Sequence, residues 1–249
     1  MSKLTLLDIV QDILNDLEGD PINSINDTVE AQQVAQIVKT TFFNIVTGKD
    51  YAHKKELFQL TGLGNTNKPN YFLIPETIES VDWIQYNTRS STDTKDKYTY
   101  LLYLEPEDFL FILNARDSSS TTVQAVTDFS NIPLNILNNK APQYYTSFDD
   151  EYIIVDSFDS SVESTLQTSK VSSRGKRTLE FTINDTFIPD IPVQMFSYLL
   201  NESKSTAFLI LKQTPNQKAE QHSISQRRRM SQEAWKVKKG ITYPNYGRR

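Results

Sequence analysis

DIPVQMFSYLLNESKSTAFLILKQTPNQKAEQHSISQRRRMSQEAWKVKKGITYPNYGRR, residues Asp190–Arg249, changes character part-way along. Its front half carries Val193, Phe196, Leu199, Leu200, Ala207, Phe208 and Leu211 at helical spacing, which predicts a helix to about Gln213 with a buried stripe. Asp190-Ile191-Pro192 reads as the start of that helix, and Lys204, between Ser203 and Ser205, reads as its solvent side. Pro215 cannot sit inside a continuous helix, because it lacks the N–H and its ring clashes with the preceding turn. With Thr214 as N-cap and Pro215 at the first position, a second helix is expected to run to about Lys239 and to end at Gly240. This second helix is basic and lacks the apolar face of the first. The sequence thus closes a core and then extends a charged arm.

A core that closes at the C-terminus needs partners elsewhere. Leu6, Ile9, Val10, Ile13, Leu14 and Leu17 recur every three or four residues, predicting a helix over Thr5–Leu17. Gly19-Asp20-Pro21 breaks it. Asp27 followed by Glu30 has the spacing of a capping box, and Val34, Ile37, Val38, Phe42 and Ile45 predict a second helix to about Val46, with Gly48 at its C′ position. Two amphipathic helices joined by a short loop cannot bury both stripes alone. The simplest packing sets this pair against the C-terminal pair.

Between them the pattern is different. Tyr51–Leu60 fits either a helical turn or the approach to a strand. Aromatic and β-branched runs then predict strands at Tyr71–Ile74, Ile78–Tyr86, Tyr98–Leu104, Thr121–Val126, Gln143–Phe148, Glu151–Asp156 and Thr178–Ile183. Glu105-Pro106-Glu107-Asp108 predicts the first turn of a short helix. Gln143–Phe148 and Glu151–Asp156 read as an edge hairpin turning at Asp149-Asp150. Asn87–Lys97 and Asn114–Thr121 read as polar loops, and Asp159–Ser173 fits either strand or loop. The expected fold class is α+β: a discontinuous helical bundle of two N-terminal and two C-terminal helices with an inserted antiparallel β-rich domain. The boundaries are residues 1–50 for the N-terminal helix pair, 51–188 for the β-rich insertion, 189–239 for the C-terminal helices and 240–249 for an extended tail.

Composition narrows the chemistry. The 249 residues include no Cys, which removes disulfides, zinc fingers and thiol catalysis, and only 7 Gly, which leaves little for phosphate-cradling loops. His53 and His222 are the two histidines and lie far apart in sequence, His53 reading as a surface or helix-end residue. No HExxH, GxSxG, GxxxxGK[ST] or GxGxxG occurs. Asp149, Asp150, Glu151, Asp156 and Asp159 supply carboxylates but not the spacing of an EF-hand loop, and the first two have sufficient reason as turn residues. No cofactor, metal site or catalytic residue is expected. Asp8 and Asp12 interrupt the apolar N-terminal run, so no leader is expected there, and no apolar run is long enough to span a membrane. The sequons at Asn26, Asn184 and Asn201 read as chance in a chain rich in Asn, Ser and Thr.

The charge is unevenly placed. Residues 216–249 hold 9 Lys/Arg and 2 Asp/Glu, a net +7, while the other 215 residues hold 17 and 29, a net −12. An acidic body with a basic arm points to an interaction tail. Arg227, Arg228, Arg229, Lys236, Lys238, Lys239, Arg248 and Arg249 with Trp235, Tyr243 and Tyr246 are the candidate partner-binding residues. The same set suits an acidic protein groove, through the residue types enriched in hot spots, or a nucleic acid, through phosphate neutralisation and base stacking. The acidic body opposes the second.

The chain resembles the head-to-tail adaptors (tail tubular protein A-like) of short-tailed bacteriophages. The resemblance lies in LTLLDIVQDILNDL with SINDTVEAQQVAQIVKTTFFNIV, in PQYYTSFDDEYIIVDSFDS and DTFIPDIPVQMFSYLLNESKSTAFLILKQ, and in AEQHSISQRRRMSQEAWKVKKG with YPNYGRR. Residues Gly62–Ser120 fall outside it. It implies a structural virion protein without enzymatic activity, assembled in the host cytoplasm and located at the head–tail junction. It implies a ring of itself, typically of twelve copies, beneath the portal protein and above a tail tube or nozzle protein, with the β-rich part facing tail components. The C-terminal segment is then expected to dock on the portal, and genome DNA to pass through the lumen without being read. No membrane is involved.

Overall fold

A computed structural model describes residues 3–48, 51–89 and 93–232. Among these, the chain is mixed α+β, with five α-helices and largely antiparallel sheets. By its contacts it divides into two compact units: Met1–Lys54 with Leu179–Arg249, and Lys55–Thr178.

The first unit holds α1 (Leu6–Asp16), α2 (Val29–Thr47), α4 (Val193–Leu211) and α5 (Gln217–Gln232). The apolar stripe of α1 forms as its spacing predicts: Leu6, Ile9, Val10 and Ile13 have no exposed surface. They share one core with Val34, Val38 and Phe42 of α2 and with Phe196, Leu199 and Ala207 of α4. Thr5 and Asp8 cap α1 reciprocally, each side chain accepting the other's backbone N–H. The next two orphan donors, Leu6 and Leu7 N–H, reach the carbonyls of Phe187 and Asp185, which ties α1 to the segment leading into α4.

Four local expectations in this unit are corrected. Thr28, not Asp27, caps α2, accepting from Ala31 N–H, while the Asp27 carboxylate accepts from Asn23 and Ser24 N–H and closes the preceding turn. Gly48 is the C-cap at φ −66°, not a left-handed C′ residue. After α4 the left-handed residue is Gln213 (φ 52°), so Pro215 falls in the loop and Asn216, accepting from Ala219 N–H, starts α5 in place of Thr214. Lys204 does not face solvent. Its ammonium lies 3.0 Å from Asp12 and 2.7 Å from Asp16 of α1, and Ser203 beside it is fully buried.

The second unit is built on two sheets and a hairpin. One sheet takes β1 (Lys55–Phe58), β4 (Ile78–Asn87), β5 (Tyr98–Tyr100) and β11 (Val171–Arg177) in the order β1-β11-β4-β5. The other takes β2 (Thr61–Gly62), β3 (Tyr71–Leu73), β6 (Leu102–Tyr103), β9 (Tyr144–Thr146) and β10 (Tyr152–Val155) in the order β2-β3-β10-β9-β6. β7 (Val123–Thr127) and β8 (Pro133–Leu137) pair with each other. The helix α3 (Pro106–Asn114) starts with Pro106 at its first turn, as expected, and buries Phe109 and Leu113 in this unit's core.

Several strands fall elsewhere than the sequence suggests. Thr178–Ile183 joins no ladder. Its alternation is real, but Leu179 and Phe181 point into the helical core, where Phe181 meets Phe42 at 5.1 Å. The strand lies just upstream, in β11, whose Val171-Ser-Ser-Arg-Gly-Lys-Arg sequence is too polar to stand out. Tyr98–Leu104 splits into β5 and β6 in different sheets. The β9–β10 hairpin forms, with Asp149 accepting from Glu151 and Tyr152 N–H and Asp150 at φ 60°. It is not at an edge, because β3 flanks β10 and β6 flanks β9. The β6–β9 pair is parallel, an exception to the antiparallel expectation. Asp159–Ser173 resolves into irregular chain, a short 3-10 turn at Thr168–Lys170 and the start of β11. No helix among the described residues is long and apolar enough to cross a membrane.

Candidate functional site: the C-terminal helix and its seat

Helix α5 has few apolar residues, yet it is seated. Ala219, Ser223, Gln226 and Met230 recur at helical spacing and turn towards the core: Ala219 and Ser223 are buried, and Met230 packs on the helical core. The contact with α4 is a polar seam. Ser223 Oγ donates to the Glu202 carboxylate and Gln226 Nε2 to Ser197 Oγ, while Asn201 Nδ2 donates to Gln226 Oε1 at 3.4 Å. A seam of this kind fixes register through hydrogen bonds rather than through apolar area.

The seat determines where the arginines point. Arg227, Arg228 and Arg229 are all exposed. Arg228 and Arg229 share their surface with Gln221, Ile224 and Ser225, and Ile224 is 46% exposed. Arg227 turns the other way, to the mouth of a groove of about 390 Å³ between α2 and α4. Burial raises the Tyr51 and Tyr198 hydroxyls above the ordinary phenol range, and the Arg227 charge offsets part of that rise for both. Guanidinium groups in this setting bind carboxylate or phosphate oxygens in a two-pronged geometry. Trp235, Lys236, Lys238, Lys239, Tyr243, Tyr246, Arg248 and Arg249 lie outside the described residues.

The acidic residues singled out in the sequence have structural partners. Asp149 and Asp150 make the hairpin turn. Asp156 is 3% exposed, pairs with Arg116 at 2.9 Å and accepts from Gln143 and Tyr144 N–H. Asp159 accepts from Ser161. Among the described residues no group of three or more His, Cys, Asp or Glu is placed to hold a metal ion. His53 lies in the 3-10 turn Ala52–Lys54, its ring 5.6 Å from that of Tyr51.

Sequence reasoning missed the α2–α4 groove. Gln36, Thr40 and Asn44 line it from α2, and Tyr198, Glu202, Thr206 and Ile210 from α4. The signal was present as rows of every fourth residue, but those rows matter only once α2 and α4 are known to be neighbours. The chain matches no known protein-family profile, and no curated protein matches it at a significant level.

Proposed function

We propose that this protein is a ring-forming head-to-tail adaptor of a short-tailed bacteriophage: a structural virion protein, not an enzyme, that joins portal to tail and lines the DNA passage. Its first unit is then a discontinuous helical bundle, and its second a β-rich domain inserted into it. The observation that carries this reading is the placement of α5. Ser223 and Gln226 seat the helix on Glu202 and Ser197 of α4, and Arg227, Arg228 and Arg229 stand exposed on its other sides. Behind it stand 215 residues with a net charge of −12. A basic arm on an acidic body suits docking on an acidic partner groove, here the portal. It also suits a wall that does not retain a phosphate backbone.

The test is assembly on the portal protein encoded by the same genome, followed by light scattering and electron microscopy. The intact chain is expected to add a ring to the portal, and Arg227→Ala/Arg228→Ala/Arg229→Ala to weaken that addition while keeping the helical circular dichroism. A chain ending at residue 215 that still binds the portal normally removes the docking role of the arm. Salt-dependent DNA binding that disappears with the same truncation, without portal binding, establishes the nucleic-acid reading instead.

A further inference from the structure

Two tyrosines of the helical unit carry hydroxyls that the fold does not use. Tyr51 is 7% exposed and Tyr198 is 6% exposed, and their rings pack in the helical core. Among the described residues neither hydroxyl makes a hydrogen bond. A buried phenol ordinarily finds a partner. Tyr71 and Tyr86 of the other unit do so, donating to the Asp128 and Glu163 carboxylates. Tyr51 and Tyr198 instead line the groove of about 390 Å³ between α2 and α4, and that groove is the side from which a partner can reach them.

The two phenols share one electrostatic setting. Burial raises both above the ordinary phenol range; Glu202 and Tyr51 add to the rise at Tyr198, and Arg227 works against it at both. Each phenol therefore stays protonated at neutral pH, with an O–H to give. The threonines of the groove do not compete, because Thr40 and Thr206 donate to the Gln36 and Glu202 carbonyls of their own helices. The groove also carries one charge of each sign, Arg227 at its mouth and Glu202 on its α4 wall. Glu202 accepts from Ser223 through one oxygen, and its other oxygen makes no hydrogen bond among the described residues. Ile37, Ile45 and Ile210 supply an apolar side.

We propose that this groove binds a small zwitterion of the α-amino-acid class with a neutral side chain. The carboxylate accepts from the Tyr51 and Tyr198 hydroxyls beside Arg227, the ammonium faces Glu202, and the side chain lies along the isoleucines. Hydrogen bonds to an ionised acceptor are roughly twice as strong as neutral ones, so two unspent phenols in a recess favour a carboxylate over a hydroxyl or an amide. The lining then fixes the net charge. A simple anion meets Glu202 and a simple cation meets Arg227, whereas a zwitterion gives each its opposite. The volume falls within the roughly 300–1,000 Å³ of small-molecule pockets. This site is independent of the adaptor reading above.

The test is isothermal titration calorimetry of the full chain with L-leucine, L-methionine and L-glutamine. At least one is expected to bind at millimolar concentration or below. Its amide, which lacks the carboxylate, and its N-acetyl form, which lacks the ammonium, are each expected to bind about tenfold more weakly or worse. Tyr51→Phe and Tyr198→Phe keep the rings in the core and remove only the unspent oxygens. Each is expected to hold the wild-type Tm and circular dichroism while weakening binding by about tenfold. No binding of any of the three amino acids overturns the site. Equal binding of the amino acid and its amide, or a Tyr51→Phe/Tyr198→Phe double variant that binds like wild type, does the same. A lowered Tm in the single variants means that the hydroxyls are spent inside the fold, which also overturns it. Tighter binding of the N-acetyl form makes the groove an anion site and removes the zwitterion. Ligand binding without addition to the portal keeps this site and removes the adaptor reading, and the converse result keeps only the adaptor.

Discussion

Replacing Lys204 by Met removes one charge from the centre of the helical unit and keeps most of the side-chain stem. The ammonium of Lys204 lies 3.0 Å from Asp12 and 2.7 Å from Asp16, with its side chain only 12% exposed. Unit charges about 4 Å apart attract by roughly 1–4 kcal/mol for effective dielectrics of about 80 to 20. Burying the ammonium takes back a large part of that attraction. The two aspartates are 46% and 43% exposed, so water rehydrates them once the lysine is gone, and only their mutual i,i+4 repulsion remains, at a few tenths of a kcal/mol. The net expectation for Lys204→Met is a loss of about 1–2 kcal/mol. That corresponds to roughly 2–8 °C in Tm at about 2–4 °C per kcal/mol for a chain of this size.

The assay is thermal unfolding followed by circular dichroism at 222 nm, which weights the helical unit. Burial works to lower the Lys204 pKa, but the Asp16 and Asp12 carboxylates outweigh it and hold the group above the ordinary lysine value of 10.5. The stabilisation is therefore complete at neutral pH and is lost as pH rises through that raised pKa. The gap between wild type and Lys204→Met should close in the alkaline range above 10.5 and stay open at pH 7. A loss under about 0.3 kcal/mol at pH 7 would refute the reasoning. So would an equal loss in an Asp12→Asn/Asp16→Asn background, where a true interaction must appear as non-additivity.

Other perturbations read different parts of the structure. Arg116→Met should cost about 3–5 kcal/mol, measured by urea unfolding, because it leaves Asp156 buried without its cation and frees the Asn135 and Asp156 carbonyls that Arg116 also bonds. Gly175→Ala should destabilise the β-rich unit by more than about 2 kcal/mol. An added Cβ there would lie 2.2 Å from the Ser80 carbonyl oxygen, at a register shift between β11 and β4, and a variant as stable as wild type would mean that the strands can part at no cost.

How much of this was legible in sequence differs by element. The stripes of α1, α2 and α4 were readable because three- and four-residue periodicity survives in any helix that buries one face. The Pro106 start of α3 and the Asp149-Asp150 turn were readable for the same local reason: each residue's own backbone preference sets the structure. What failed was whatever depends on a neighbour distant in sequence. The burial of Lys204 needs Asp12 and Asp16, nearly two hundred residues away. Leu179 and Phe181 alternate like a strand, yet find Phe42 and the helical core instead of a ladder. The two-residue strands β2 and β6 carry too few residues to show any period.

The C-terminal stretch draws the same line. Its sequence alone established a buried helix, a break near Pro215 and a basic helix beyond it, because apolar period, proline geometry and charge are properties of the chain itself. Tertiary structure decided that Asn216 rather than Thr214 caps α5, that Ser223 and Gln226 seat it on α4, and therefore which way Arg227, Arg228 and Arg229 face. It also decided that Gln36, Thr40 and Asn44 of α2 lie beside Tyr198, Glu202, Thr206 and Ile210 of α4. Adjacency of that kind is a relation between two surfaces, and neither helix encodes it alone.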